Sequence, residues 1–212
     1  MPTVGFLHTS PVHVPTFRRL VAELIPGAPI VSVENEAVLD LARERGPGND
    51  DVRREVADLV GHLVDAGATT IVCTCSTIGD VAEDVGAELG LDVVRVDRPM
   101  AERAMQVGGR VVVVAAVEST LGPTRELLES VADAHGSDVV IDVRLVDGAW
   151  ERFEAGDDEG YVAAIADALP ELATEADVIV LAQASMAPAA ALVEVGVPVL
   201  SSPRLAVEAL AR

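Results

Sequence analysis

Two dipeptides recur at one spacing, and that constrains the fold more than anything else in the chain. Pro15-Thr16 returns as Pro123-Thr124 and Ile71-Val72 returns as Ile179-Val180, in each case 108 residues later. One spacing serving two matches so far apart marks a duplication. Pro99 and Pro203 correspond at a spacing of 104, so a few residues are lost near the end of the second copy. Within each copy, short apolar runs alternate with helical periodicity, the pattern of parallel sheets joined by right-handed crossovers. The expectation is therefore α/β, with two pseudo-symmetric parallel-sheet halves. Residues 1–97 make the first half, with a terminal helix at 203–212 packing back on it, and residues 98–202 make the second. Open parallel sheets take ligands at the carboxyl ends of their strands, so the active site is expected in a cleft between the halves.

In order, Thr3 to His8 reads as a buried strand, broken by Thr9-Ser10-Pro11, and Pro15-Thr16 opens a helix with Phe17, Leu20, Val21 and Leu24 apolar. Pro29 to Val33 is a second strand, and Glu34 to Arg45 a short helix. Gly46-Pro47-Gly48-Asn49-Asp50 is a turn before a helix from Asp51 to Ala66; it lacks the spacing and the Lys of a phosphate loop. The next strand ends in Cys73-Thr74-Cys75, followed by a helix from Thr77 to Leu89 and a strand from Asp92 to Val96. The second half repeats this: a helix at Met100–Gln106, then a strand at Arg110–Ala116. A helix opened by Pro123 and a strand at Val139–Val146 follow. Next come a loop holding Trp150 and Phe153, a helix at Asp158–Leu172, and a strand from Asp177 that ends at Gln183-Ala184-Ser185. Val197 to Leu200 and a final helix close the chain. Trp150 and Phe153 either lid the cleft or pack the second half, with packing the favoured reading, and the acidic loop of Glu154, Asp157, Asp158 and Glu159 is expected to be solvated.

The junction after the third strand is where chemistry is expected. In Ile71-Val72-Cys73-Thr74-Cys75-Ser76-Thr77-Ile78-Gly79, an apolar run stops at a thiol, two hydroxyls and a glycine before a helix begins. Open amides at a helix start carry partial positive charge and favour an anion, thiolate or carboxylate, beside them. Ser76 and Thr77 add hydroxyl donors. Cys73 lies two residues further inside the strand and reads as core. The two cysteines are one residue apart, which argues against a disulfide framework and for a reducing compartment. No second cysteine pair or close histidine pair completes a zinc site, so no metal is expected.

The order and spacing of four segments resemble the aspartate/glutamate/hydantoin racemase superfamily, the cofactor-independent, cysteine-dependent group that includes arylmalonate decarboxylase and maleate isomerase. The segments are His8-Thr9-Ser10-Pro11 at the first strand end, Val33-Glu34-Asn35-Glu36-Ala37-Val38-Leu39 after the second, Thr74-Cys75-Ser76-Thr77, and Val117-Glu118-Ser119-Thr120-Leu121. The resemblance covers nearly the whole chain. It implies an enzyme that needs no cofactor and acts at the carbon beside a carboxylate of a small acid or amino acid. In that family one cysteine removes the proton and a second returns one to the other face, while hydroxyls and strand-end amides hold the carboxylate. Carried over by position, Cys75 is the first-half acid/base. Thr9, Ser10, Ser76, Thr77, Ser119, Thr120, Gln183, Ala184 and Ser185 are candidates for the substrate shell. Homodimers are common in the family and are an expectation here.

One position departs. Where the family's second half has Gly-Cys-Thr, this chain has Ala182-Gln183-Ala184. An amide neither gains nor loses a proton near neutrality, so Gln183 cannot be the second base. Three readings follow. Cys75 alone moves a proton, as in one-thiol racemases or in decarboxylases of disubstituted malonates; those decarboxylases keep the second-half cysteine, so the hand of the product should be opposite here. Alternatively Cys75 attacks a small acid covalently, as in the family's isomerases, with His8 or His13 as base. In the third, the chain is a non-catalytic shell that binds a small acid or a partner protein, with Cys75 a relic. His8, Arg98 and Glu34 are candidates for recognising the rest of the ligand.

Charge narrows the partners. The formal net charge is −20 from 35 acidic residues and 15 basic ones, all of them Arg. Nucleic acid and anionic membranes should be repelled. There is no basic leader running into an apolar stretch and no apolar run long enough to span a bilayer, so a cytoplasmic protein is expected.

Overall fold

The computed structural model describes residues 2–211. The chain divides into two compact units, one ending at Val96 and joined by the C-terminal segment from Pro203, the other spanning Asp97–Ser202.

In the first unit, β1 (Val4–His8), β2 (Ile30–Glu34), β3 (Thr70–Cys73) and β4 (Asp92–Arg95) form one parallel sheet in the order β2-β1-β3-β4. Its helices are α1 (His13–Leu24), α2 (Glu36–Arg45), α3 (Asp50–Asp65), α4 (Gly79–Leu89) and the terminal α9 (Ser202–Leu210). The two-residue period of the strands sorts their side chains onto two faces. Leu7, Ile71 and Cys73 pack with Val38, Val56, Leu63 and Val85 of α2, α3 and α4. Val4, Phe6 and Val72 pack with Phe17 and Val21 of α1 and with Val207 of α9.

The second unit repeats the plan. Strands β5 (Gly109–Ala115), β6 (Val139–Leu145), β7 (Val178–Leu181) and β8 (Val199–Ser201) form a parallel sheet in the order β6-β5-β7-β8. Helices α5 (Arg98–Val107), α6 (Leu121–His135), α7 (Ala149–Glu154) and α8 (Asp158–Leu172) cover it. Val112, Val114, Ile179 and Leu181 pack on Tyr161, Ile165 and Leu169 of α8.

The ladders refine the repeat. Leu7 pairs with Cys73, whereas Val114 pairs with Leu181. The offset between halves is therefore 107 at β1/β5 (114 − 7) and 108 at β3/β7 (181 − 73). The second half holds one extra residue between its first strand and α6, and Thr9 and Ser10 correspond structurally to Ala116 and Val117.

Several element boundaries differ from the sequence expectation. Glu34 ends β2, and α2 begins at Glu36 because the Asn35 side chain accepts from Val38 N at 3.3 Å and caps the helix. The segment with Trp150 and Phe153 is the short helix α7, where the two rings stack at 4.9 Å and Trp150 Nε1 donates to Glu154 Oε1 at 2.7 Å. After Gln183 the chain turns through a 3-10 stretch at Ala184–Ala191 that tolerates Pro188. Among the described residues no helix is long and apolar enough to cross a membrane.

Candidate functional site

The strand ends of the first unit bring together His8, Thr9, Thr74, Cys75, Ser76 and Thr77, all of them buried. Parallel pairing of β1 with β3 sets this proximity, since Leu7 and Cys73 are partners and the chain runs on into Thr9 and Cys75 at the same level. Cys75 keeps extended backbone angles (φ −113°, ψ 114°) and then gives way to a 3-10 turn at Ser76–Ile78 and to α4. The turn replaces the helix start expected at Thr77 and places Thr77 inside it. Cys75 is 8 % exposed and packs with the α2, α3 and α4 face. Cys73 is fully buried in the same cluster, and its Sγ donates to the carbonyl of Cys75 at 3.6 Å, so the inner cysteine steadies the backbone of the outer one.

Beneath this turn lies a residue that sequence reasoning passed over. Arg95, in β4, has no exposure; its guanidinium bonds Asp80 and donates to Ser76 O at 3.4 Å, tying the residue after Cys75 to the sheet. Gly79 makes room for it, because a Cβ there would stand 3.0 Å from both the Arg95 Cβ and Nε. An Arg directly after Val93 and Val94, with a glycine at the start of the preceding helix, was the available signal.

His8 closes the other side. Its ring lies against Phe6 at 5.7 Å and Phe17 at 5.8 Å, and its Nδ1 is 2.8 Å from Thr74 Oγ1. Burial, then the nearby His13 and Arg18 charges, lowers its pKa to about 4, and burial alone lowers that of His13 to about 4. Both rings are neutral near pH 7 and too weakly basic to be well matched as general bases there, which counts against the base role expected for either. Glu34 ends β2 exposed to solvent, and Arg98 opens α5.

At the second unit's strand ends, Gln183 is likewise extended (φ −122°, ψ 139°). Its Oε1 accepts from Ala116 N at 2.6 Å and from Val117 N at 3.2 Å. Two donors meeting one atom identify that atom as oxygen, so the amide nitrogen is the end of the side chain left to meet anything else. Ser185 Oγ bonds the buried Tyr161 hydroxyl at 2.8 Å, and burial raises the Tyr161 pKa to about 12. Ala184 and Thr120 are buried, and Ser119 Oγ is buried with no partner among the described residues. Tyr161 carries a site hydroxyl without having stood out in the sequence, and Thr74, quoted there as part of the motif, was given no role of its own. Among the described residues no group of three or more His, Cys, Asp or Glu is arranged to hold a metal ion.

The model of the Asp/Glu/hydantoin racemase family matches residues 8–210. The chain belongs to this family. Solved structures agree on the fold at low identity. The aspartate racemase of Picrophilus torridus superposes with a TM-score of 0.71 at 14% identity, covering 100% of this chain and 94% of that one. The glutamate racemase of Thermus thermophilus, in complex with β-chloro-D-alanine, gives 0.68 at 22% identity and covers 100% and 79%. A glycine-to-cysteine mutant of arylmalonate decarboxylase gives 0.58 at 19% identity and covers 99% and 91%. A comparison with curated proteins gives no match.

Proposed function

We propose that this racemase-family chain moves a proton at the carbon next to the carboxylate of a small acid or amino acid. Cys75 is the single thiol acid/base, and Gln183 is a fixed amide that binds but does not react. The observation that carries this reading is the anchoring of Gln183 Oε1 on two backbone amides. It makes the residue in the second cysteine's place a donor wall. Thr9, Ser10, Ser76 and Thr77 supply hydroxyls and amides around Cys75, and the family's pattern makes Ser119, Thr120, Ala184 and Ser185 the candidates at the second unit's own strand ends. No cofactor or metal is part of this reading.

In the step itself the thiolate of Cys75 takes the α-proton, the electron pair passes into the carboxylate as an enediolate, and the same thiol returns a proton to the carbon. A single thiol returns it from the side it came from, so exchange with solvent should outrun inversion. A one-thiol decarboxylation is the second reading, favoured by the same lone thiol: carbon dioxide leaves and Cys75 protonates the enediolate.

The test is incubation of small acids in D₂O with the native chain and with Cys75→Ala, followed by mass and chiral analysis. Deuterium should enter the α-position with configuration retained, and Cys75→Ala should lose on the order of a hundredfold or more of the rate. Malonates substituted at the central carbon belong in the panel, where release of carbon dioxide marks the second reading. Exchange that survives Cys75→Ala, or inversion as fast as exchange in the native chain, would remove the one-thiol reading. Gln183→Cys should raise inversion relative to exchange.

A further inference from the structure

Position 95 carries a charge where the fold asks for none. The strand ladders set Leu7, Cys73 and Arg95 side by side across β1, β3 and β4. Neighbours in register share a face of the sheet, so the arginine enters the α2, α3 and α4 face on which Cys73 and Cys75 also pack. Its side chain has no exposure. A buried ion pair is often no more stabilising than apolar residues of the same volume, so stability alone does not call for it. A guanidinium does what a leucine cannot, which is to hold oxygen atoms in fixed places. This one bonds the Asp80 carboxylate, and its Nη2 donates to the main-chain carbonyl of Ser76 at 3.4 Å.

Gly79 makes the same point from the helix side. Its backbone angles are ordinary helical ones (φ −59°, ψ −46°), open to any residue. Yet the three atoms nearest to a Cβ there all belong to Arg95: Cβ and Nε at 3.0 Å and Cζ at 3.2 Å. The glycine serves the guanidinium, at the expense of the helix propensity an alanine would add. On the near side, Cys73 Sγ donates to the carbonyl of Cys75 at 3.6 Å. Both peptide groups that follow Cys75 are thus held by their carbonyls. The peptide bond between Ser76 and Thr77 is trans, and the C=O and N–H of a trans peptide point opposite ways. With the Ser76 carbonyl turned to Arg95, the N–H of Thr77 is turned away from it. Thr77 lies second in the 3-10 turn, where an amide has no acceptor inside the turn.

We propose that Arg95 is a positioning residue for the Cys75 site: by holding the Ser76 carbonyl it keeps the Thr77 N–H aimed as a donor to the substrate's carboxylate beside the thiol. The inference rests on the reading of Cys75 as the reacting thiol and adds the residue that orients its surroundings from within the core. Arg95 itself touches no substrate. Its hold matters most as charge builds on the carboxylate during formation of the enediolate, because a donor already in place needs no reorganisation at that moment.

Alkylation of Cys75 reads carboxylate recognition without turnover. Iodoacetate and iodoacetamide attack the same thiol, the first with a carboxylate and the second with a neutral amide, and peptide fragmentation tells Cys75 from Cys73. The ratio of the two rates, divided by that ratio for the same chain unfolded in urea, is the carboxylate preference of the site. The net charge of −20 opposes iodoacetate, so a preference has to come from local donors. In the native chain it should be about tenfold, the size of a hydrogen bond to a charged group. Arg95→Met, apolar and without a donor, should bring it to within about twofold, with the iodoacetamide rate within about threefold of native. Gly79→Ala keeps every charge but crowds the guanidinium, and should lower the preference at least about threefold. A preference that survives in either variant with native melting behaviour overturns the inference, and failure of both to fold does so too, by making Arg95 a residue of the fold alone. Loss of preference with a faster iodoacetamide rate marks opening of the buried turn, which also overturns it. A native chain with no preference at Cys75 overturns the reading of Cys75 as the substrate's thiol and this inference with it.

Discussion

A neutral histidine sealed at the end of β1 couples the stability of the protein to pH. Unfolded, His8 takes up a proton below about pH 6.5; folded, it resists until about pH 4. Between those values the unfolded chain binds more protons, so stability is full above pH 6.5 and is lost as pH falls toward 4. Over the whole window the shift amounts to roughly 3 kcal/mol for His8, at about 1.4 kcal/mol per pH unit. Urea midpoints at pH 7 and pH 5 should therefore differ more in the native chain than in His8→Phe, and equal drops in the two would show that the ring is not held neutral by the fold. The sequence made Cys75 and Gln183 visible because a thiol and an amide at equivalent strand ends stand out against apolar runs. It could not show that Gln183 Oε1 would be anchored on Ala116 and Val117, nor that His8 Nδ1 would stand 2.8 Å from Thr74 Oγ1. Both depend on register between strands some 66 residues apart.

At the scale of elements, what was legible is what is local. The β-branched runs of β3, β5 and β7 act within a few residues, and the chain obeys them; the Asn35 cap is as local, but a single capping residue was not enough to fix the start of α2. The helix α7 escaped notice because six residues are too few to show a period, and its aromatics lie against α8, with Phe153 and Tyr161 5.2 Å apart. Packing between elements is likewise hidden in single residues. Gly86, mid-way along α4, lets the helix lie directly on β4: a Cβ there would stand 2.6 Å from Val93 Cβ and 2.7 Å from its Cγ2. Alanine would gain about 1 kcal/mol of helix propensity, yet β-branched Val93 has no flexible end with which to yield. Overpacking of this kind costs about 1–3 kcal/mol, so Gly86→Ala should be net destabilising, by about 1 kcal/mol in denaturant titration. A more stable variant would mean that α4 slides on β4 at little cost.

For the whole molecule, the duplication was legible and its one-residue irregularity was not. The dipeptide matches report a spacing of 108 at the helices and at β3/β7, and only strand pairing reveals 107 at β1/β5. Charge, by contrast, is fully given by the sequence, and its consequence for stability turns on which of two opposed effects is larger. Surface pairs such as Arg53–Glu88 at 2.6 Å and Arg204–Glu23 at 2.9 Å draw the fold together only weakly and are weakened further by salt. Against them stand 35 acidic residues for 15 Arg, leaving 20 negative charges with no opposite number. Each repulsion at ~20 Å in water is only about 0.2 kcal/mol, but every excess charge feels all the others, and compaction brings them closer than in the unfolded chain. Salt shortens the screening length from about 30 Å at 0.01 M to about 3 Å at 1 M, which removes the long-range repulsions before it touches the contact pairs. The melting temperature should therefore rise by several degrees between 0.01 and 0.5 M KCl, most steeply at the dilute end. A fall over that range would mean that the Arg–carboxylate pairs, few as they are, outweigh the repulsion among the rest.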